Sequence, residues 1–233
     1  MPDLPPPLPP DQRTVGQLIA ESIRAYGHRF WLALPLGLPL AIADQLNAGH
    51  AWADQPIVYW ALTPLFVAAY LWGCRLVLAS RPTWTAVALA VLVWMPFPAL
   101  RAFFLLPGLA WLAFVGLSVP VAMVERTGFR ESLVRGRRLA QADFVHAFGS
   151  LCALAIVAGI ASQVLGALLR SQSDSGLRVA LFVSDLVLSP LLYIGAALLY
   201  VDQSARVGSG GRAALHPPHD ADPPGRADAQ VEP

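Results

Sequence analysis

Apolar runs dominate this chain, and short polar punctuation divides them. Six stretches read as bilayer-crossing helices: about Phe30–Leu46, Ile57–Ala79, about Thr83–Leu100, about Ala102–Val124, Phe144–Leu169 and Leu177–Val201. Each has the roughly 17–25 residues that cross about 30 Å of hydrocarbon. Almost no loop separates the third from the fourth, so "MPFPALRAFFLLPG" reads as a tight helical hairpin turning near Pro98–Arg101. Two other segments alternate with helical period. Over residues 14–29, Val15, Ile19, Ser22, Ile23, Tyr26 and Phe30 share one face, and Gln17, Glu21, Arg24 and His28 share the other. Over residues 129–143, Phe129, Leu133, Gly136, Ala140 and Phe144 oppose Arg130, Arg135, Arg137, Arg138 and Gln141. The predicted fold class is therefore all-α: a polytopic membrane protein of about six transmembrane helices plus two amphipathic helices on the cytoplasmic face. Residues 1–12 are proline-rich and residues 204–233 rich in Gly, Pro, Asp and Ala, so both read as disordered tails around a membrane domain at 13–203.

Composition supports the pattern. Hydrophobic residues make up 56% of the 233-residue chain and charged residues 13%, whereas soluble domains carry roughly 25% charged. Mean hydropathy is +0.54. A net charge of +1 supplies no field for nucleic acid, and no recognition motif is present, so nucleic acid is excluded as a partner. The N-terminus lacks a signal peptide's basic and apolar regions, so the first span serves as the insertion signal. Cys74 and Cys152 sit inside apolar runs and read as free thiols. His216 and His219 have no neighbours to complete a metal site, and no cofactor is expected.

The basic residues number 16, all arginine. With the N-terminus inside, the outer segments hold only Arg101, Arg170 and Arg178, and the inner segments hold the other thirteen. That bias places both termini in the cytoplasm.

Two groups of residues are candidate sites. Arg130, Arg135, Arg137 and Arg138, with Arg24 and Arg29 on the first amphipathic segment, suit a lipid headgroup surface. They serve equally well as an orientation anchor without a specific partner. Asp185 lies inside the sixth span, and Gln163, Ser162, Ser184 and Ser189 can share its layer, with Arg101 as counter-charge. That cluster is either an ion or headgroup site or an interhelical hydrogen bond. No GxSxG, HExxH, P-loop or GxGxxG is present, and His146 enters the fifth span alone. The expected function is non-catalytic: a membrane or scaffold domain associated with lipids, an envelope enzyme or copies of itself. The alternative is a small-molecule or lipid transporter built around Asp185.

The segment from Glu21, "ESIRAYGHRFWLALPLG", echoes that from Glu131, "ESLVRGRRLAQADFVHAFG". Each precedes two spans and starts on the same side, which predicts a parallel internal repeat. Three stretches also resemble a bacterial membrane-domain family that includes the membrane domain of glycerophosphoryl diester phosphodiesterases. They are "RTVGQLIAESIRAYGHRFW", "LSVPVAMVERTGFRESLVRGRRLAQADFVHAFG" and "LSPLLYIGAALLYVDQSAR", the last with Pro190 followed by Leu198–Asp202. The resemblance implies a membrane module working beside lipids or envelope precursors. Hydrolysis in the fused relatives belongs to a separate soluble domain of about 200 residues or more, for which nothing here corresponds.

Overall fold

The computed structural model describes residues 9–48, 51, 55–103, 105–168 and 174–215. Among them every regular element is helical. A 3-10 turn at Pro10–Gln12 leads into α1 (Val15–His28), α2 (Phe30–Ala33), a second 3-10 turn at Leu34–Gly37, and α3 (Leu38–Asn47). There follow α4 (Gln55–Ala61), α5 (Thr63–Leu78), α6 (Trp84–Trp94), α7 (Phe97–Phe103), α8 (Leu105–Val115) and α9 (Ser118–Val124). The chain closes with α10 (Phe129–Ala142), α11 (Phe144–Leu168), α12 (Asp174–Leu188) and α13 (Pro190–Leu215).

Among the described residues, three helical stretches are long and apolar enough to cross a membrane: Leu106–Val124, Phe144–Val164 and Arg178–Gly208. The pair α4–α5, bent by 57°, would be a fourth. The expected spans at about Phe30–Leu46 and about Thr83–Leu100 are each divided into shorter helices. Proline is the physical reason. Pro35 sits in the 3-10 turn that splits the first expected span, and Pro39 begins the helix after it. Trp84–Leu100 is a shorter apolar helix, interrupted at Met95–Pro96. A proline removes one backbone donor and blocks the preceding turn. The expected tight turn at Pro98–Arg101 is absent, because those residues belong to α7.

Helical structure also falls inside both segments expected to be tails: Pro10–Gln12 packs on α13, and α13 continues to Leu215. His216 and His219 lie outside the described residues.

The two amphipathic helices form where their pattern puts them. Thr14 caps α1 in a reciprocal box with Gln17, which satisfies two N-terminal donors. Each helix is 14 residues long, and one residue separates it from the next helix. Each buries one face against other helices. The α1 face of Leu18, Ser22 and Tyr26 is buried against α11 and α13. The α10 face of Ser132, Gly136, Leu139 and Ala140 is buried against α8, α9 and α13. Gly136 permits this closeness: a Cβ there would lie 2.6 Å from the Ser118 backbone.

These faces refine the internal repeat. Leu18, Ser22 and Tyr26 stand twelve, eight and four residues before Phe30, and Ser132, Gly136 and Ala140 stand at the same distances before Phe144. The structural register thus counts back from the helix entrance and is shifted by four from the Glu-Ser match. A second correspondence lies downstream. A break at Leu62 precedes Thr63-Pro64, and a break at Ser189 precedes Pro190. The helices that follow, α5 and α13, pack against each other in the centre.

Candidate functional site

Polar groups gather at two places. The first is the end of the bundle where α1 and α10 lie. Asp202 is fully buried and pairs with Arg13 at 2.9 Å. Arg206 donates to Asp143 Oδ2 at 2.8 Å and to the Arg13 carbonyl at 2.7 Å, and lies 3.4 Å from His146 Nε2. Asp143 also caps α11 by accepting from the His146 amide, and its carbonyl accepts from the Gln203 amide. This network joins the N-terminal turn, α11 and α13. Burial has a cost here as well: Tyr26 has no hydroxyl partner, and desolvation pushes that hydroxyl above the usual tyrosine range.

The six interface arginines divide. Arg24 pairs with Glu21 at 2.9 Å, and Arg29 donates to the Leu76 carbonyl at 2.7 Å. Arg137 turns away from its neighbours, with its guanidinium over the Phe114 ring at 5.1 Å. Only Arg130, Arg135 and Arg138 share one pocket, together with Glu125 and Glu131. Of the four arginines expected on the polar side of α10, Arg137 covers an aromatic side chain and the other three line the pocket.

The second place is a cavity of about 450 Å³ between α3, α5, α6, α7, α8, α11, α12 and α13. Five aromatic side chains line it: Phe66, Tyr70, Trp94, Phe97 and Tyr193. Trp94 is their hub, stacked on Phe66 at 5.1 Å and within 4.9 Å of Phe97 and 5.9 Å of Tyr193, centroid to centroid. Tyr70 hydrogen-bonds the Gly116 carbonyl at 3.0 Å, which fixes its ring. Small residues, Ala155, Ala158 and Gly159, leave the space open along α11.

One edge of this cavity is polar. Ser162, Gln163, Asp185 and Ser189 all border it, as the shared layer predicts. Ser184 belongs to the layer through its 2.8 Å bond to Ser162, although its own side chain lines a separate apolar groove with Val164 and Val183. Ser189 donates to the Asp185 carbonyl at 2.6 Å, next to the break that starts α13. The Arg101 side chain lies outside the described residues.

Sequence reasoning missed Asp44. It lines the same cavity and accepts a 2.6 Å hydrogen bond from the Tyr59 hydroxyl. The signal was present, since an acid inside the first apolar run is as unusual as one inside the sixth. Both Asp44 and Asp185 make further polar or electrostatic contacts.

No family model, curated protein or solved structure matches this chain.

The chemistry of the cavity suits binding. Pockets for small molecules span roughly 300–1,000 Å³, with mostly apolar walls and a few fixed polar groups. This one has those proportions. Among the described residues no three His, Cys, Asp or Glu side chains gather as a metal site would require.

Proposed function

We propose that this chain is a non-catalytic, multi-pass protein of a bacterial inner membrane that binds an amphiphile of the lipid class in its aromatic cavity. The observation that carries this reading is the cavity itself, lined by five aromatic side chains together with Asp44, Ser162, Gln163 and Asp185. Such aromatic groups take an acyl or ring portion, and such polar groups take a polar end. The thirteen-to-three division of arginines supports cytoplasmic termini. The resemblance to the membrane domain of the phosphodiesterases supports a role beside lipids.

The test is native mass spectrometry of the protein extracted with its own lipid patch, for the wild type and Gly159→Phe. Gly159 lines the cavity, and a Cβ there meets nothing within 4 Å, so a phenyl group is added at its border without a clash at Cβ. The expected result is a retained molecule in the wild type and none in Gly159→Phe, with helicity unchanged. Equal retention in both, or no retained molecule in the wild type, would overturn the reading.

A second reading, transport through the same cavity, draws on the broken helices around it. The α4–α5 bend of 57° and the break at Ser189 both lie beside the site, and discontinuous helices build many transporter sites. Transport predicts that Asp185→Asn lowers uptake by proteoliposomes while leaving binding in place. Loss of binding and uptake together would favour a binding role alone.

A further inference from the structure

We propose that Arg130, Arg135 and Arg138 form a binding site for the phosphate of an anionic lipid headgroup, separate from the aromatic cavity. The three arginines share one face of α10 and line a pocket of about 420 Å³ with Glu125, Glu131 and Val134. Guanidinium groups suit this task because their planar forks bind phosphate oxygens in pairs.

The charges in the pocket are unequally used. Glu125 holds Arg135 at 3.5 Å and also accepts from the Tyr200 hydroxyl at 3.5 Å, so this acid is engaged in fixing Arg135. Arg130 and Arg138 form no ion pair among the described residues. Three guanidiniums against two carboxylates leave the pocket positive. The comparison with α1 makes the surplus informative. There Arg24 is paired with Glu21, Arg29 is bonded to a backbone carbonyl, and Arg13 is paired with Asp202. Helices in equivalent places thus use their arginines differently, and of the two it is α10 that keeps cations outside the protein's own ion pairs among the described residues.

The rim of the pocket selects between sources of phosphate. Val134, which lines the pocket, is 45% exposed, and Val124 and Phe129, the chain neighbours of its Glu125 and Arg130, are each 44% exposed. A free phosphate ion gains nothing from such side chains, whereas the glycerol and first acyl carbons of a lipid cover them. The pocket also sits where the candidate span Leu106–Val124 ends and α10 begins, which is headgroup depth if that stretch crosses.

The experiment is native mass spectrometry of the full chain in detergent, titrated in parallel with phosphatidylglycerol and phosphatidylcholine. The wild type should prefer phosphatidylglycerol by about tenfold or more, the scale of two surface cations. Arg130→Gln with Arg138→Gln should erase most of that preference, and Val134→Asp, a change at an exposed position, should weaken it independently. Arg24→Gln with Arg29→Gln should leave it intact. An unaltered preference in both Arg130→Gln/Arg138→Gln and Val134→Asp overturns the proposal. So does an equal loss in Arg24→Gln/Arg29→Gln, since bulk charge would then explain the binding. If inorganic phosphate binds these arginines as tightly as phosphatidylglycerol does, the ligand is a free anion and the lipid assignment falls.

Discussion

At one end of the bundle Asp202 is enclosed and meets Arg13 at 2.9 Å; in the cavity, Asp44 and Asp185 border open space. The enclosed acid is committed to holding three parts of the chain together. The bordering acids are supported from behind, Asp44 by the Tyr59 hydroxyl, and still face a volume that something else can occupy. The difference teaches how to sort polar groups in an apolar protein. A buried charge whose partner is another part of the same chain reads as structure. A charge at the edge of an aromatic cavity reads as recognition.

The comparison can be broken most sharply at Arg13. Arg13→Ala leaves Asp202 buried without its cation and should destabilise the protein by about 3–5 kcal/mol, read from thermal denaturation in detergent. Arg13→Leu combined with Asp202→Leu should recover most of that loss. A Tm for Arg13→Ala equal to wild type would show that the enclosed pair is not structural. Gly136→Ala should come next, at about 1–3 kcal/mol, because its methyl group meets the Ser118 backbone. A neutral result would mean that α10 is held loosely and can lie free at the interface.

Smaller effects sharpen the contrast. Tyr26→Phe removes a buried hydroxyl without a partner and should raise stability by up to about 1 kcal/mol. A lower melting temperature would reveal a partner that this structure lacks. Asp185→Asn should cost about 0.6 kcal/mol, the average for an interhelical polar contact, yet should release the retained molecule. A large drop in stability with retention intact would move Asp185 into the structural group.

Much of this was legible in the sequence, and the failures share a cause. Helical period places α1 and α10 correctly, since alternation of polar and apolar residues is a local property. The layer of Ser162, Gln163 and Asp185 is likewise readable, because depth along a helix follows residue count. What the pattern could not give is the partner of each face. The apolar stripe of α10 looks the same whether it meets acyl chains or α9, and only Gly136 hinted at a close neighbour. Arg137 reads as one more surface cation until Phe114, distant in sequence, is placed beneath it. Asp202 and Arg13 are separated by 189 residues, so no local pattern joins them. Span length fails for another reason: the hydropathy of residues 30–46 is continuous, but Pro35 and Pro39 cut the helix that would carry it.

The Arg13–Asp202 bond also sets an order of events in synthesis. The arginine leaves the ribosome 189 residues ahead of its acid. At about 5–20 residues per second, that is a delay on the order of ten to forty seconds. During that interval α1 can meet α11 once residues 144–168 are made, but it lacks its contact with α13. The ion pair that joins the N-terminal turn to α13 can therefore form only after residue 202 has been made, so this closure of the bundle belongs to the end of synthesis.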